Sequence, residues 1–169
     1  MAPTIRLATA EDMPAVNDLY NHYVLNSTCT YQEAPEPIEG RREWFARHGA
    51  MHPVTIAEIA GRTVGWGALS PYHNRSAYRH TVEDSVYVDP RCHRRGIGSA
   101  LLADLIERAR ALGHHAILAL IDADQTASIG LHARFGFGEV GRCREVGRKF
   151  GRWLDVVTME LRPGAEDPR

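Results

Sequence analysis

From Val86 to Leu102 the chain reads V-Y-V-D-P-R-C-H-R-R-G-I-G-S-A-L-L, a strand-like end, a polar basic turn, and two glycines just ahead of an apolar-periodic stretch. A helix that begins between Gly96 and Ser99 leaves its first backbone N–H groups without partners and aims the positive end of its dipole into the loop, where an anion is favoured. Gly96 and Gly98 carry no Cβ to keep a phosphate away, and Arg94 and Arg95 add charge at the same place. Glycine and arginine also occur in strand-to-helix turns simply because they turn and face water, so the flanking chain must decide between the two readings. Glu83, three residues before Val86, is either a solvated strand carboxylate or a group that takes up a proton. His132 is either a packed, hydrogen-bonded helix residue or a second acid–base group. Arg75 offers a planar fork suited to both oxygens of a carboxylate, although a lone loop arginine also serves as a solvated surface group.

The elements that must position these residues follow from periodicity. Thr4 to Leu7 reads as a strand, and Thr9 with Asp12 three residues on resembles a helix-capping pair. Met13, Val16, Leu19, Tyr20, Tyr23 and Val24 recur at helical spacing, with an end near Asn26 and Ser27. A loop with Pro35 and Pro37 leads to a shorter helix over Glu39 to His48. The period then changes: Val54 to Ile59 and Thr63 to Leu69 form a hairpin, Ser70 to Arg79 is irregular, and Thr81 to Val88 is a strand. Ile97, Leu101, Leu102, Leu105, Ile106, Ala109 and Leu112 mark the buried stripe of a helix closed by Gly113. Ala116 to Ile121 is apolar throughout, as a central strand should be; a helix over Thr126 to Phe135 and strands over Gly138 to Arg144 and Trp153 to Leu161 complete the order. Such an order packs as an α/β (α+β) mixed sheet flanked by helices, with the site at the C-terminal ends of Thr81–Val88 and Ala116–Ile121.

The totals narrow the class of partner. A chain of 169 residues is one domain with room for a real core. Twenty Lys plus Arg against 21 Asp plus Glu leave a net charge of −1, so no global field steers the protein to nucleic acid or an anionic membrane, and a small-molecule partner is expected. Cys29, Cys92 and Cys143 are odd in number and show no C-x-x-C spacing, which points to a reducing, cytoplasmic compartment. No leader-like N-terminus and no apolar run of about 18 residues is present, so no membrane span is expected. Nine histidines invite a metal reading, but His114-His115 is adjacent rather than spaced for one helical face, and Cys92-His93 lies inside the glycine loop; no metal is expected.

The strand, basic glycine turn and amphipathic helix, followed by an apolar strand, a short helix and F-G-F, resemble the GNAT superfamily of N-acetyltransferases over nearly the whole chain. That family's coenzyme motif, Gln or Arg, two residues, Gly, one residue, Gly or Ala, falls on His93-Arg94-Arg95-Gly96-Ile97-Gly98, with His93 in place of the usual first residue. I-R-L-A-T-A-E-D-M, N-H-Y at 21–23, A-Y-R-H-T-V-E at 77–83, S-V-Y-V at 85–88, S-I-G-L-H at 128–132, and Lys149 with Gly151, Trp153, Asp155 and Val156 are most similar to the phosphinothricin and methionine sulfone or sulfoximine N-acetyltransferases.

The resemblance implies a mostly antiparallel central sheet, a single N-acetyltransferase domain over 1–162 with a frayed tail over 163–169, and a homodimer whose last strands or second helix lie near the interface. It implies acetyl-CoA as co-substrate: the stretch Val86, Tyr87, Val88 would receive the pantetheine arm and thioester, chiefly through main-chain groups of Val86 and Val88. His93, Arg94, Arg95, Gly96, Ile97, Gly98 and Ser99 would hold the pyrophosphate, with Gln125 (usually asparagine) and Ser128 as further coenzyme contacts. Glu83 becomes the base for the incoming amine, His132 the acid for the departing thiolate, and Tyr31, His73, Arg75 and Tyr78 the acceptor pocket. The expected reaction is acetylation of the α-amine of a small amino-acid-like acceptor by direct attack. The alternatives are another amine (an antibiotic, a polyamine, a protein N-terminus) or a non-catalytic acyl-CoA sensor. Arg75 disfavours polycations, and Glu83 with His132 beside a complete cradle disfavours the sensor.

Overall fold

A computed structural model describes residues 2–164. Seven strands, β1 (Thr4–Leu7), β2 (Val54–Ile59), β3 (Arg62–Pro71), β4 (Thr81–Val88), β5 (Ala116–Asp122), β6 (Gly138–Lys149) and β7 (Arg152–Leu161), form one sheet in the order β1-β2-β3-β4-β5-β7-β6. Every neighbouring pair is antiparallel except β4 and β5. Four helices flank it: α1 (Met13–Asn26), α2 (Ile38–Ala46), α3 (Ile97–Ala111) and α4 (Thr126–Arg134). The mixed, mostly antiparallel sheet expected from the sequence is the one formed.

Alternation along the strands sorts the side chains into two layers. Met13 and Val16 of α1 and Trp44 and Phe45 of α2 pack on Val54, Ile56, Trp66 and Ala68 on one face. On the other, Leu102, Leu105, Ile106 and Ala109 of α3 pack on Leu69, Val82, Ile117 and Ala119, each large buried aliphatic contributing about 1.5–3 kcal/mol. Gly67 lets α3 approach this closely, since a Cβ there would stand 2.9 Å from Leu105 Cδ1. The capping pair forms as read, with Thr9 N–H donating to Asp12 Oδ2 at 2.7 Å, although it opens a 3-10 turn ahead of α1.

Several boundaries differ from the periodicity reading. α2 runs Ile38–Ala46 rather than Glu39–His48, because His48 turns back to place Nδ1 2.8 Å from the Trp44 carbonyl. β3 continues to Pro71, and a 3-10 turn at Ser76–Tyr78 lies within the segment read as irregular. β6 is five residues longer than Gly138–Arg144, since it stays paired with β7 through two register shifts, the second across Cys143–Gly147. Of the tail expected to fray from Pro163, residues 165–169 lie outside the described residues; Pro163 itself is buried, and its carbonyl accepts from Arg110 Nε at 2.8 Å.

Candidate active site

Among the described residues, the one parallel pairing opens a gap in the sheet. β4 and β5 are in register for three pairs, Thr81 with Ala116 to Glu83 with Leu118, and then separate, although β4 continues to Val88 and β5 to Asp122. Asp89 N–H bonds the Val64 carbonyl at 2.8 Å, so by strand alternation the N–H groups of Val88 and Val86 face away from β3, into the gap. Tyr87 is paired with Trp66, and its main chain turns to β3; its ring stacks on Trp66 at 4.6 Å. Of the three residues named for the pantetheine arm, two therefore present amides at the opened edge, and the third lends its side chain to the wall.

A cleft of about 470 Å³ occupies the separation. Glu83, Ser85 and Tyr87 face the α1/α2 layer, whereas Val82, Asp84 and Val86 face α3 and α4, so the gap connects two chemically distinct sides. Glu83 lines it from the first side. Its carboxylate has no hydrogen-bond partner among the described residues, and burial, helped by the adjacent Asp84 charge, raises its pKa above the ordinary carboxylate value. That is the signature of a carboxylate able to bind a proton nearer neutrality.

His132 lines the cleft from the second side and is 4 % exposed. Its Nδ1 lies 2.8 Å from the Ser128 carbonyl and its Nε2 2.9 Å from Asp84 Oδ2. Both neighbours accept, so the surroundings are those of a doubly donating imidazolium. Burial acts to lower the His132 pKa, but the Asp84 hydrogen bond and charge, with the Ser128 carbonyl, outweigh it and hold the pKa above the ordinary histidine value.

The glycine turn has the geometry of an anion nest. Gly96 caps α3 in the left-handed region (φ +77°), with Arg94 also at positive φ (+59°). The first intrahelical bond runs from Ala100 N–H to the Gly96 carbonyl, which leaves the amides of Gly96, Ile97, Gly98 and Ser99 without helical acceptors. A Cβ on Gly98 would meet nothing nearer than Leu131 at 3.4 Å, so internal packing does not require glycine there. Arg94 and Arg95 are exposed at the mouth, and Ile97 anchors the helix start by burying its side chain. His93 turns away from this nest: its Nε2 is 2.8 Å from Tyr23 Oη, whose hydroxyl donates to the Val88 carbonyl at 2.6 Å. Donor amides, an open approach and local positive charge fit a coenzyme pyrophosphate.

Gln125 and Ser128 both line the cleft; Gln125 directs its Nε2 to Thr28 Oγ1 at 3.3 Å, and Ser128 Oγ sits 3.5 Å from His132 Nδ1. Tyr31 also lines it, its hydroxyl 2.9 Å from Asp122 Oδ2 and 3.0 Å from the Asp155 carbonyl. His73, Arg75 and Tyr78 do not: they lie on an exposed loop closed by Tyr72 N–H to the Thr81 carbonyl at 3.4 Å, with His73 Nδ1 accepting from the Arg75 amide at 3.1 Å and Tyr78 beside Tyr72 and His73.

Sequence reasoning missed Asp84, Asp122, Arg41 and the role of Lys149. Lys149 is 2 % exposed and donates to the carbonyls of Ser27 and Thr30, each at 2.7 Å, which fixes the loop carrying Tyr31. Alternation along Thr81–Val88 was the available signal for Asp84, since it sits on the apolar face between Val82 and Val86. Among the described residues, no group of three or more His, Cys, Asp or Glu is placed to hold a metal ion, and no helix is long and apolar enough to cross a membrane.

Known proteins resemble this chain in sequence and fold. The model of the acetyltransferase (GNAT) family matches residues 16–137. An L-methionine sulfoximine/L-methionine sulfone acetyltransferase of Pseudomonas paraeruginosa is 41% identical over 163 residues, covering 95% of each chain. A phosphinothricin N-acetyltransferase of Streptomyces coelicolor is 42% identical over 161 residues, covering 92% of this chain and 94% of its own. The crystal structure of a GNAT phosphinothricin acetyltransferase from Sinorhizobium meliloti in complex with acetyl-CoA superposes with a TM-score of 0.93 at 36% identity, covering 96% of this chain and 89% of that one. With the separated central strands and the glycine nest at the start of α3, these similarities show that the chain belongs to the acetyltransferase (GNAT) family.

Proposed function

We propose that this protein N-acetylates the α-amine of a small amino-acid-like acceptor of the methionine sulfone, methionine sulfoximine or phosphinothricin type. The observation that carries the reading is the pair of titratable groups on opposite sides of one gap, Glu83 unpaired and His132 held by Asp84. Acetyl-CoA supplies an acetyl thioester; the chain supplies position and protons. The amides of Gly96 to Ser99, with Arg94 and Arg95, hold the pyrophosphate, and His93 acts indirectly by fixing Tyr23 and the end of β4. The outward N–H groups of Val86 and Val88 receive the arm and offer a fixed dipole to an oxygen that gains charge. Gln125 and Ser128 bound the coenzyme side.

Glu83 takes the proton of the incoming ammonium. At an α-amino pKa near 8, neutralising the amine at pH 7 costs about 1.4 kcal/mol, against about 4–5 for a lysine-like amine, so a modest base suffices only for the former. His132, on the far side, gives a proton to the departing sulfur once it releases its bond to the Ser128 carbonyl or to Asp84. Tyr31 shapes the acceptor side, and Arg75 reaches the α-carboxylate by folding its loop over the mouth, with His73 and Tyr78 setting that loop. Arg75→Ala is expected to raise the acceptor KM for carboxylate-bearing acceptors; an unchanged KM removes the clamp.

Two copies are proposed to pair through the β6–β7 end, which leaves Val140, Val146, Phe150 and Trp153 exposed. Three free thiols suit a reducing cytoplasm. The test is thiol release from acetyl-CoA in the presence of a panel of amines. Release with methionine sulfone, methionine sulfoximine or phosphinothricin, and not with polyamines, supports the reading; coenzyme binding with no amine-dependent release above the protein-free rate supports the sensor instead.

A further inference from the structure

Among the described residues Arg41 is the one permanent cation that lines the cleft, and it forms no ion pair with a carboxylate there. It is 4 % exposed, its guanidinium lies 4.2 Å from the centroid of Tyr20, 4.8 Å from Trp44 and 5.7 Å from Trp66, and Nε donates to Asn17 Oδ1 at 3.4 Å, with the Tyr20 hydroxyl as a further partner. The rings form an aromatic basket over its faces, and among the described residues neither terminal nitrogen forms an ion pair with a carboxylate. Burial lowers its pKa, with Tyr20, Glu36 and Tyr87 opposing, so the cation is held at a desolvation cost that its neighbours offset only in part. The rings and Asn17 hold the guanidinium in place, but none of them neutralises its charge.

The basket's place in the sheet says what would approach it. Glu83 opposes Ser70, Ser85 opposes Ala68 and Tyr87 opposes Trp66, all on the α1/α2 side. The Trp66–Tyr87 row under Arg41 is four residues along β4 from Glu83, about 13 Å of strand. An acceptor whose amine lies at Glu83 keeps its α-carboxylate within one bond of the amine-bearing carbon, so the group extended toward Arg41 is the far end of the side chain. We propose that Arg41 is a specificity-determining residue whose terminal N–H groups bind the oxygen-bearing head of the acceptor side chain, a sulfone, sulfoximine or phosphinate, inside the Tyr20–Trp44–Trp66 basket. This rests on the proposed acetylation of amino-acid-like acceptors and goes beyond it by naming the part of the acceptor that is read, and by which residue.

The experiment compares kcat/KM for methionine sulfone with that for methionine, and for the α-amide of methionine sulfone, in the parent protein and in Arg41→Lys and Arg41→Gln. The parent is expected to prefer the sulfone over the thioether by about 10- to 100-fold, the range of a hydrogen bond to a charged group, and Arg41→Gln to bring that ratio toward one, with Arg41→Lys between. The acid-to-amide ratio is expected to be the same in all three. A purely structural arginine would lower both acceptors together and leave the sulfone-to-thioether ratio intact, which overturns the proposal. Loss of acid-to-amide discrimination in the variants also overturns it, because Arg41 would then be reading the α-carboxylate. If neither variant folds, the parent alone decides: equal use of methionine and its sulfone rules the proposal out. Failure of every acceptor to release thiol removes the acetylation reading itself, a result distinct from all of these.

Discussion

Asp84 and His132 are 48 positions apart and meet only because β4 and α4 share one side of the sheet. Their coupling has a consequence for stability. The folded-state pKa of His132 is raised, so its contribution is fully present below the unfolded value near 6.5 and is lost as pH rises through the higher folded value. The melting temperature of the parent is therefore expected to fall relative to Asp84→Asn as pH is taken upward from 6.5; parallel curves across that range contradict the pairing. Glu83 was legible as a charged residue in a strand-like run, and Asp84 was equally visible, but which of the two would stay unpaired was not: that depends on which side of the sheet carries α4. Arg41 was hidden for the same reason, since α2 contributes only Trp44 to its surroundings, and Tyr20 and Trp66 come from α1 and β3.

At the scale of elements, short-range pattern found β1, β4 and the end of α1 at their observed positions, because alternation and helical spacing are local, whereas the capping pair opens the 3-10 turn ahead of α1 rather than α1 itself. It lost the second half of β6, where Arg142, Arg144 and Arg148 and three glycines within Gly138–Lys149 give no apolar period; pairing with β7 maintains that strand. The length matters to the site. The ring of Tyr31 lies against Gly147, where a Cβ would overlap it, and Asp122 and the Asp155 carbonyl hold its hydroxyl. Gly147→Ala is expected to displace Tyr31 and raise the acceptor KM while coenzyme affinity stays within about twofold, because β6 is remote from the nest. Equal losses for both ligands would mean that β6 supports the whole cleft. Gly96→Ala is expected to do the reverse: an L residue forced to φ +77° costs about 1–2 kcal/mol and disturbs the α3 amides, so coenzyme affinity falls first. Isothermal titration with coenzyme, beside acceptor kinetics, separates the two variants.

Over the whole molecule, one departure from antiparallel pairing opens the cleft: β4 and β5 part after three residue pairs, and Glu83, Val86, Tyr31 and His132 line the opening, while His73, Arg75 and Tyr78 stay on the exposed loop outside it. The exposed Phe150 and Trp153 sit at the hairpin joining β6 to β7, and replacing Trp153 with Asp is expected to turn the proposed dimer into a monomer by light scattering; an unchanged mass places the contact elsewhere. The claim on which the rest depends is that Glu83 removes a proton from an α-amine at this opening. Thiol release from acetyl-CoA with methionine sulfone, followed from pH 6.5 to 9.5 for the parent and Glu83→Gln, tests it most directly. The expected result is a loss of about 100-fold or more near pH 7 that narrows in alkali as the amine deprotonates unaided. A variant as active as the parent at pH 7 would contradict it.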